Sequence, residues 1–281
     1  MKSIHLSTTK KIALVNDISG YGRCSATVAL PIISWLGVQC CPVPTAVLSN
    51  HTGYESCYFD DYTCHMEEYL AEWKKLGLHF DGIETGFLGS VRQIQIVRDM
   101  ITSFADSRTA VLVDPVMGDH GQIYRTYTEE LCRDMRSLVA LADIVTPNLT
   151  EACRLTDTVY RESFSRRELT AMARAISALG PSHVVITGIP QGGFIANFVY
   201  DKSGETHNLR THRIAGQRSG TGDIFAAILA ADAVNGVPFD TSVHRAGTFI
   251  RKCAERTLMH DDDPRNGVCL EEMMPELKRT V

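Results

Sequence analysis

Gly220-Thr221-Gly222-Asp223 is the segment of this chain best suited to chemistry. It opens an apolar stretch with a helical pattern. Glycines there let a ligand approach the backbone. The first N–H groups of a helix lack intrahelical partners and form an anion site. An aspartate beside that site repels a phosphate, but it can accept a proton from an attacking hydroxyl. Amides that hold a transferring phosphoryl, next to a carboxylate that activates an alcohol, suit phosphoryl transfer. The plainer alternative is a glycine turn whose acidic residue is favoured by the helix dipole.

Further polar clusters follow apolar, β-branched runs. Asp114-Pro115-Val116-Met117-Gly118-Asp119 comes directly after Ala110 to Val113, and two acids there could bind Mg²⁺ through water. A proline turn with a solvated aspartate is the alternative. In Thr146-Pro147-Asn148-Leu149-Thr150-Glu151, Asn148 or Thr150 could cap the next helix. Glu151 would then sit in its first turn and could share a metal shell with Asp114. Thr187-Gly188 ends another run, where a hydroxyl and a glycine could meet a nucleotide phosphate, unless it is an ordinary strand-end turn. Asn16-Asp17-Ile18-Ser19-Gly20 and Ser49-Asn50-His51-Thr52-Gly53-Tyr54 could bind a small polar ring, with His51 and Tyr54 packing on it. No Gly-Lys-Ser/Thr occurs, and Ser25 stands where a dinucleotide fingerprint needs glycine. Cys24 has no sequence-adjacent activating base and reads as a packing residue.

The elements that must position these residues alternate. Lys11 to Val15, Val38 to Leu48, Gly82 to Phe87, Ala110 to Val113, Ile144 to Thr146 and Val184 to Thr187 read as strands. Helical spacing connects them, with Met66, Tyr69, Leu70, Trp73 and Leu76 expected on one face. Thr126 with Glu129 and Ser165 with Glu168 suggest capping boxes. Phe194 to Tyr200 and Glu205 to Leu209 flank a hairpin turn, and helices over Ile224 to Val234 and Ser242 to Met259 follow. Such alternation predicts a mostly parallel sheet with helices on both faces, and ligands beyond the strands' C-terminal ends. The candidate residues span Asp17 to Asp223, so residues 1–281 are expected to form one domain. The loop after Asp119 and the segment Ile189 to Gly193 are candidates to close over a nucleotide.

The composition fits an ordinary soluble chain of 281 residues, 44% hydrophobic and 22% charged. A net charge of -5 argues against a nucleic-acid partner. The N-terminal stretch lacks the apolar core of a signal peptide, and no apolar run approaches a membrane-spanning length. Nine cysteines form no Cys-x-x-Cys pair, so reduced thiols in a cytoplasmic protein are expected.

With these motifs in hand, the chain resembles the pyridoxal kinase group of the ribokinase-like superfamily. Ser49-Asn50-His51-Thr52-Gly53-Tyr54, Gly86-Phe87-Leu88-Gly89-Ser90, Asp114 to Asp119, and Thr146-Pro147-Asn148 with Glu151 carry the likeness, and Gly220 to Asp223 is the superfamily signature. The resemblance implies a three-layer α/β fold without the lid domain of sugar kinases. It implies ATP-dependent phosphorylation of the 5′-hydroxymethyl of pyridoxal, pyridoxine or pyridoxamine by a homodimer. Asp223 would be the general base, and Gly220, Thr221 and Gly222 the anion hole. Asp114, Asp119 and Glu151 would lie around Mg²⁺, with Thr146, Asn148, Thr187 and Gly188 near the nucleotide. Asp17, Ser19, His51, Thr52 and Phe87 would line the vitamin pocket. A monovalent cation, K⁺ or Na⁺, would activate the enzyme.

Two departures stand out. Asp17 replaces the serine of typical pyridoxal kinases and resembles the Asp-Pro-Ser-Gly stretch of hydroxymethylpyrimidine kinases. Phe87 replaces a common tyrosine. Hydroxymethylpyrimidine kinase is therefore the alternative activity, although many such enzymes carry cysteine where Asp223 stands and lack the Ser-Asn-His-Thr cluster. A non-catalytic vitamer-binding protein is the third reading, and the presence of Asp223 weighs against it.

Overall fold

The computed structural model describes residues 9–214, 216, 218–260 and 263–277. Strand β1 (Lys11–Tyr21) leads through a tight turn to helix α1 (Ala26–Trp35) and strand β2 (Gln39–Asn50). Strand β3 (Phe59–Asp61) and helix α2 (Thr63–Lys75) precede β4 (Gly82–Thr85), α3 (Val91–Phe104) and β5 (Ala110–Val113). A small hairpin follows, β6 (Gly118–Asp119) and β7 (Gln122–Ile123). Then come α4 (Glu129–Val139), β8 (Ile144–Val145), α5 (Leu149–Leu155), α6 (Arg166–Ser177) and β9 (His183–Gln191). Strands β10 (Phe194–Asp201) and β11 (Thr206–His212) and helices α7 (Thr221–Asn235) and α8 (Phe239–Thr257) complete the chain.

Nine strands form one sheet in the order β11-β10-β9-β8-β5-β4-β1-β2-β3. The strands from β2 to β9 in that order run parallel, while β3 and the β9-β10-β11 meander are antiparallel. Successive side chains of a strand point to opposite faces. Accordingly Ala13 and Val15 join the core under α2 to α6, while Ile12 and Leu14 join the core under α1, α7 and α8. The result is the expected three-layer α/β fold.

Several expectations are corrected. The polar run Asn16 to Gly20 does not follow β1 but continues it, pairing with β2 as far as Tyr21 opposite Asn50. A β-bulge interrupts this pairing between Asn16 and Ile18. The N-cap of α4 is Thr128, whose hydroxyl accepts the Leu131 N–H, not Thr126. Leu76 is 70% exposed beyond the end of α2 and does not share its apolar face. The Ser165–Glu168 capping box is present on α6, and the hairpin at Ser203-Gly204 joins β10 to β11. Of the two segments expected to close over a nucleotide, the loop after Asp119 forms the β6–β7 hairpin and Ile189 to Gln191 extends β9.

Candidate active site

The N-terminus of α7 is the centre of the site. Gly220 is left-handed (φ 77°) and offers no side chain to cap the helix, so the first-turn amides stay open to an anion. A Cβ at Gly220 would fall 1.9 Å from the Arg23 carbonyl oxygen, so only glycine fits. A side chain at Gly222 would stand 3.8 Å from Asp114 Oδ2. The first acid of β5's exit loop therefore lies beside the anion site.

Asp223 is half-buried in that first turn. Burial against the sheet raises its pKa to about 6, and the neighbouring Asp17 charge adds to the rise. The Ser25 N–H and the Asn16 amide hold the shift down by donating to the carboxylate. Asn16 Nδ2 donates to Asp223 Oδ1 at 3.2 Å, while its Oδ1 accepts the N–H groups of Asp17 and Phe87. A Cβ at Gly86 would lie 2.5 Å from the Asn16 amide, so the glycine of the Gly86-Phe87 segment makes room for it. Ser25 carries a positive φ of 55°, a disfavoured conformation that aims its N–H at Asp223. Asn16, expected only within a ring-binding cluster, and Ser25, not expected in the site, are the positioning residues of Asp223. Their only sequence signal was proximity to the polar end of β1.

The other candidates are distributed around this centre. Asp17 is buried, accepts the Ser19 hydroxyl at 2.8 Å, and has its pKa raised by burial. Phe87 stacks edge-on to Phe59 and Tyr127. Asp114 is buried, and burial followed by repulsion from Asp223 pushes its carboxyl to about 7. Thr146 is buried beside it, its hydroxyl without a hydrogen-bond partner among the described residues, and its proximity opposes that rise. Asn148 caps α5 and donates to the Gly118 carbonyl, so its amide is a structural staple to the hairpin. Glu151 completes the capping box, and its two oxygens accept the N–H groups of Asn148 and Met117. Asp119 is partly exposed on the hairpin beside His120. Thr187 pairs with Asn148, and Gly188 (φ 68°) is exposed on β9.

His51 is committed elsewhere. Its Nδ1 accepts the Gly53 N–H, so Nε2 carries the proton toward the Arg265 carbonyl at 2.7 Å. Thr52 is exposed at the tip of the same turn. Cys24 is buried, and burial plus the Asp223 and Asp17 charges push its thiol up to about 12, which suits packing rather than attack. The nine cysteines are all free.

The donor set fits Mg²⁺. It consists of carboxylate oxygens, and the buried Asp114 and Glu151 repel each other, which a divalent cation would relieve. Each Glu151 oxygen already accepts a backbone N–H, so contact through a retained water suits it better than direct ligation.

Fold and site together define a kinase of the ribokinase-like fold. The chain belongs to the phosphomethylpyrimidine kinase family, whose sequence model matches residues 31–264. It is 32% identical to a pyridoxal kinase of Arabidopsis thaliana over 267 residues, 90% of this chain and 82% of the relative. A Bacteroides thetaiotaomicron protein provisionally classed as a phosphomethylpyrimidine kinase, and solved in one crystal form with pyridoxal, superposes with a TM-score of 0.94. It shares 39% identity over 98% of this chain and 97% of its own. Pyridoxal kinase from Lactobacillus plantarum has a TM-score of 0.89 at 28% identity, covering 96% of this chain and 97% of that one.

Proposed function

We propose that this kinase transfers the γ-phosphoryl group of ATP to the 5′-hydroxymethyl of pyridoxal, pyridoxine or pyridoxamine. The observation that carries the reaction type is Asp223 in the first turn of α7, beside open amides and held by Asn16. The Arabidopsis pyridoxal kinase and the pyridoxal-bound Bacteroides structure support the substrate class. In the proposed step the alcohol oxygen attacks the γ-phosphorus while its proton passes to Asp223. The bond to the bridging oxygen breaks and ADP leaves. The amides of Thr221 and Gly222 face the transferring oxygens. Thr146, just after β8, and Thr187 and Gly188, within β9, would meet the nucleotide. Mg²⁺, held through Asp114 with Asp119 and Glu151 nearby, would neutralise phosphate charge when bound. The pocket would use Asp17, Ser19 and Phe87 on the ring, with Thr52 at its rim and His51 bracing the loop. The family resemblance also supports one kinase domain and a cytoplasmic homodimer activated by K⁺ or Na⁺.

A second reading is hydroxymethylpyrimidine phosphorylation, favoured by the description of the matching family and by Asp17 followed by Ser19-Gly20. One assay decides between them. Protein, Mg·ATP and each alcohol are followed by ADP release. Turnover of the B6 vitamers is expected. Turnover of hydroxymethylpyrimidine alone would replace the first reading with the second, and tight vitamer binding without turnover would mark a sensor.

A further inference from the structure

The short turn Asp263 to Gly267 lies far from the site in sequence but meets it in space. Asn266 Oδ1 accepts the Tyr54 hydroxyl at 2.6 Å, which ties it to the turn after β2. Its carbonyl accepts the Arg23 N–H at 3.1 Å, which ties it to the end of β1. The Arg265 carbonyl accepts His51 Nε2–H at 2.7 Å, and the Arg265 guanidinium lies 4.8 Å from the Tyr54 ring centre. Gly267 (φ 80°) is wedged so closely that a Cβ would lie 2.8 Å from the Arg23 carbonyl and 3.1 Å from that of Ser219. That Arg23 carbonyl is also the atom against which Gly220 is packed. One residue therefore reaches the polar loop through its side chain and the anion-hole glycine through the backbone of Arg23.

We propose that Asp263–Gly267 is a clamp holding the His51–Tyr54 loop in register with the anion hole, and that Asn266 is its positioning residue. This rests on the reading of Asp223 and the α7 N-terminus as the phosphoryl-transfer site. Asn266 touches no reacting atom. It fixes the distance between the loop that borders the alcohol substrate and the amides that hold the phosphoryl. Loss of positioning of this kind lowers kcat/KM for the alcohol.

The test compares Asn266→Ala, Asn266→Asp, Tyr54→Phe and the Tyr54→Phe/Asn266→Ala double variant with the wild type. Removing one hydrogen bond is expected to raise KM for the alcohol about fivefold. KM for ATP and the melting temperature should stay near wild type. Tyr54→Phe should match Asn266→Ala, the double variant should add nothing further, and Asn266→Asp, which keeps the acceptor, should recover most of the affinity. Hydrogen exchange over residues 49–54 and 219–224 supplies a readout that needs no substrate. Faster exchange in both segments of Asn266→Ala supports the clamp. Unchanged exchange overturns it, as does a loss spread evenly over both KM values and the melting temperature. A wild type that turns over no vitamer would sink the proposed function, yet the exchange data would still decide the clamp.

Discussion

At the scale of single residues, the decisive feature is what surrounds Asp223. An isolated aspartate is too weak a base at neutral pH, and burial brings this one to about 6, close to a useful range. Asp223→Ala should lower kcat by roughly 10²-fold or more, measured by ADP release. Because the base must be ionised, kcat/KM should fall as pH drops through about 6. The Asn16 amide favours the carboxylate, so Asn16→Ala should move this acid limb to higher pH; a limb that stays put removes Asn16 from that role. Asp17 is a buried acid on the expected ring pocket, and Asp17→Ser should shift relative kcat/KM away from pyridoxamine. The glycines and acids of this site were legible as motifs. Asn16 was legible as part of a polar cluster but not as the partner of Asp223, because that partner lies 207 residues away. Glu84 was invisible: it interrupts an apolar strand, faces the core under α7 between Leu14 and Leu112, and leaves Oε2 without a partner.

At the scale of elements, two capping boxes of the same chemistry serve different ends. On α6, Ser165 and Glu168 close a box on the surface. On α5, Asn148 and Glu151 close one that also holds the β6–β7 hairpin, through the Gly118 carbonyl and the Met117 N–H. The Gly121 N–H adds a bond to Thr150 Oγ1 at 2.9 Å. Ser165→Ala should cost about 1 kcal/mol of stability and leave the Mg²⁺ dependence of the rate unchanged. Asn148→Ala should cost at least as much and raise the Mg²⁺ concentration for half-maximal rate, since the hairpin carrying Asp119 loses its staple. Urea melts and Mg²⁺ titrations of both variants check the contrast, and equal Mg²⁺ responses would separate the hairpin from the metal. The helices were largely legible because their apolar faces repeat at helical spacing. The strands were less so. The end of β1 stays extended through polar residues because β2 supplies its hydrogen bonds, and β3 has three exposed residues with no apolar alternation to reveal it.

At the scale of the whole molecule, Asp17, Asp114, Glu151 and Asp223 gather around the site with Glu84 in the core beneath it, and burial is the first cause of a raised pKa in every one. The consequence for stability has a definite sign. Below their ordinary values these groups are protonated whether folded or unfolded and cost nothing by ionisation. Above them the unfolded chain ionises while the folded groups retain protons. Stability then declines until the pH passes the folded values, about 6 for Asp223 and about 7 for Asp114. Each such group contributes a slope of up to about 1.4 kcal/mol per pH unit within its window. Surface acids act in the other direction: Glu168 and Asp263, held down to about 2 by Arg161 and Arg265, add stability that is lost only as the pH falls toward that value. The urea midpoint of the unliganded protein should therefore fall between pH 5 and pH 8. Glu84 is the cleanest probe, because it lies in the core and belongs neither to the base nor to the metal group. Glu84→Gln keeps its shape but cannot ionise, so the midpoint of the variant should fall less steeply over that range. A wild-type midpoint that rises across it, or a variant of unchanged slope, would contradict an uncompensated acid cluster. Mg²⁺ should recover more of the lost midpoint at pH 8 than at pH 5, because it favours the ionised form of Asp114 and so opposes the same penalty.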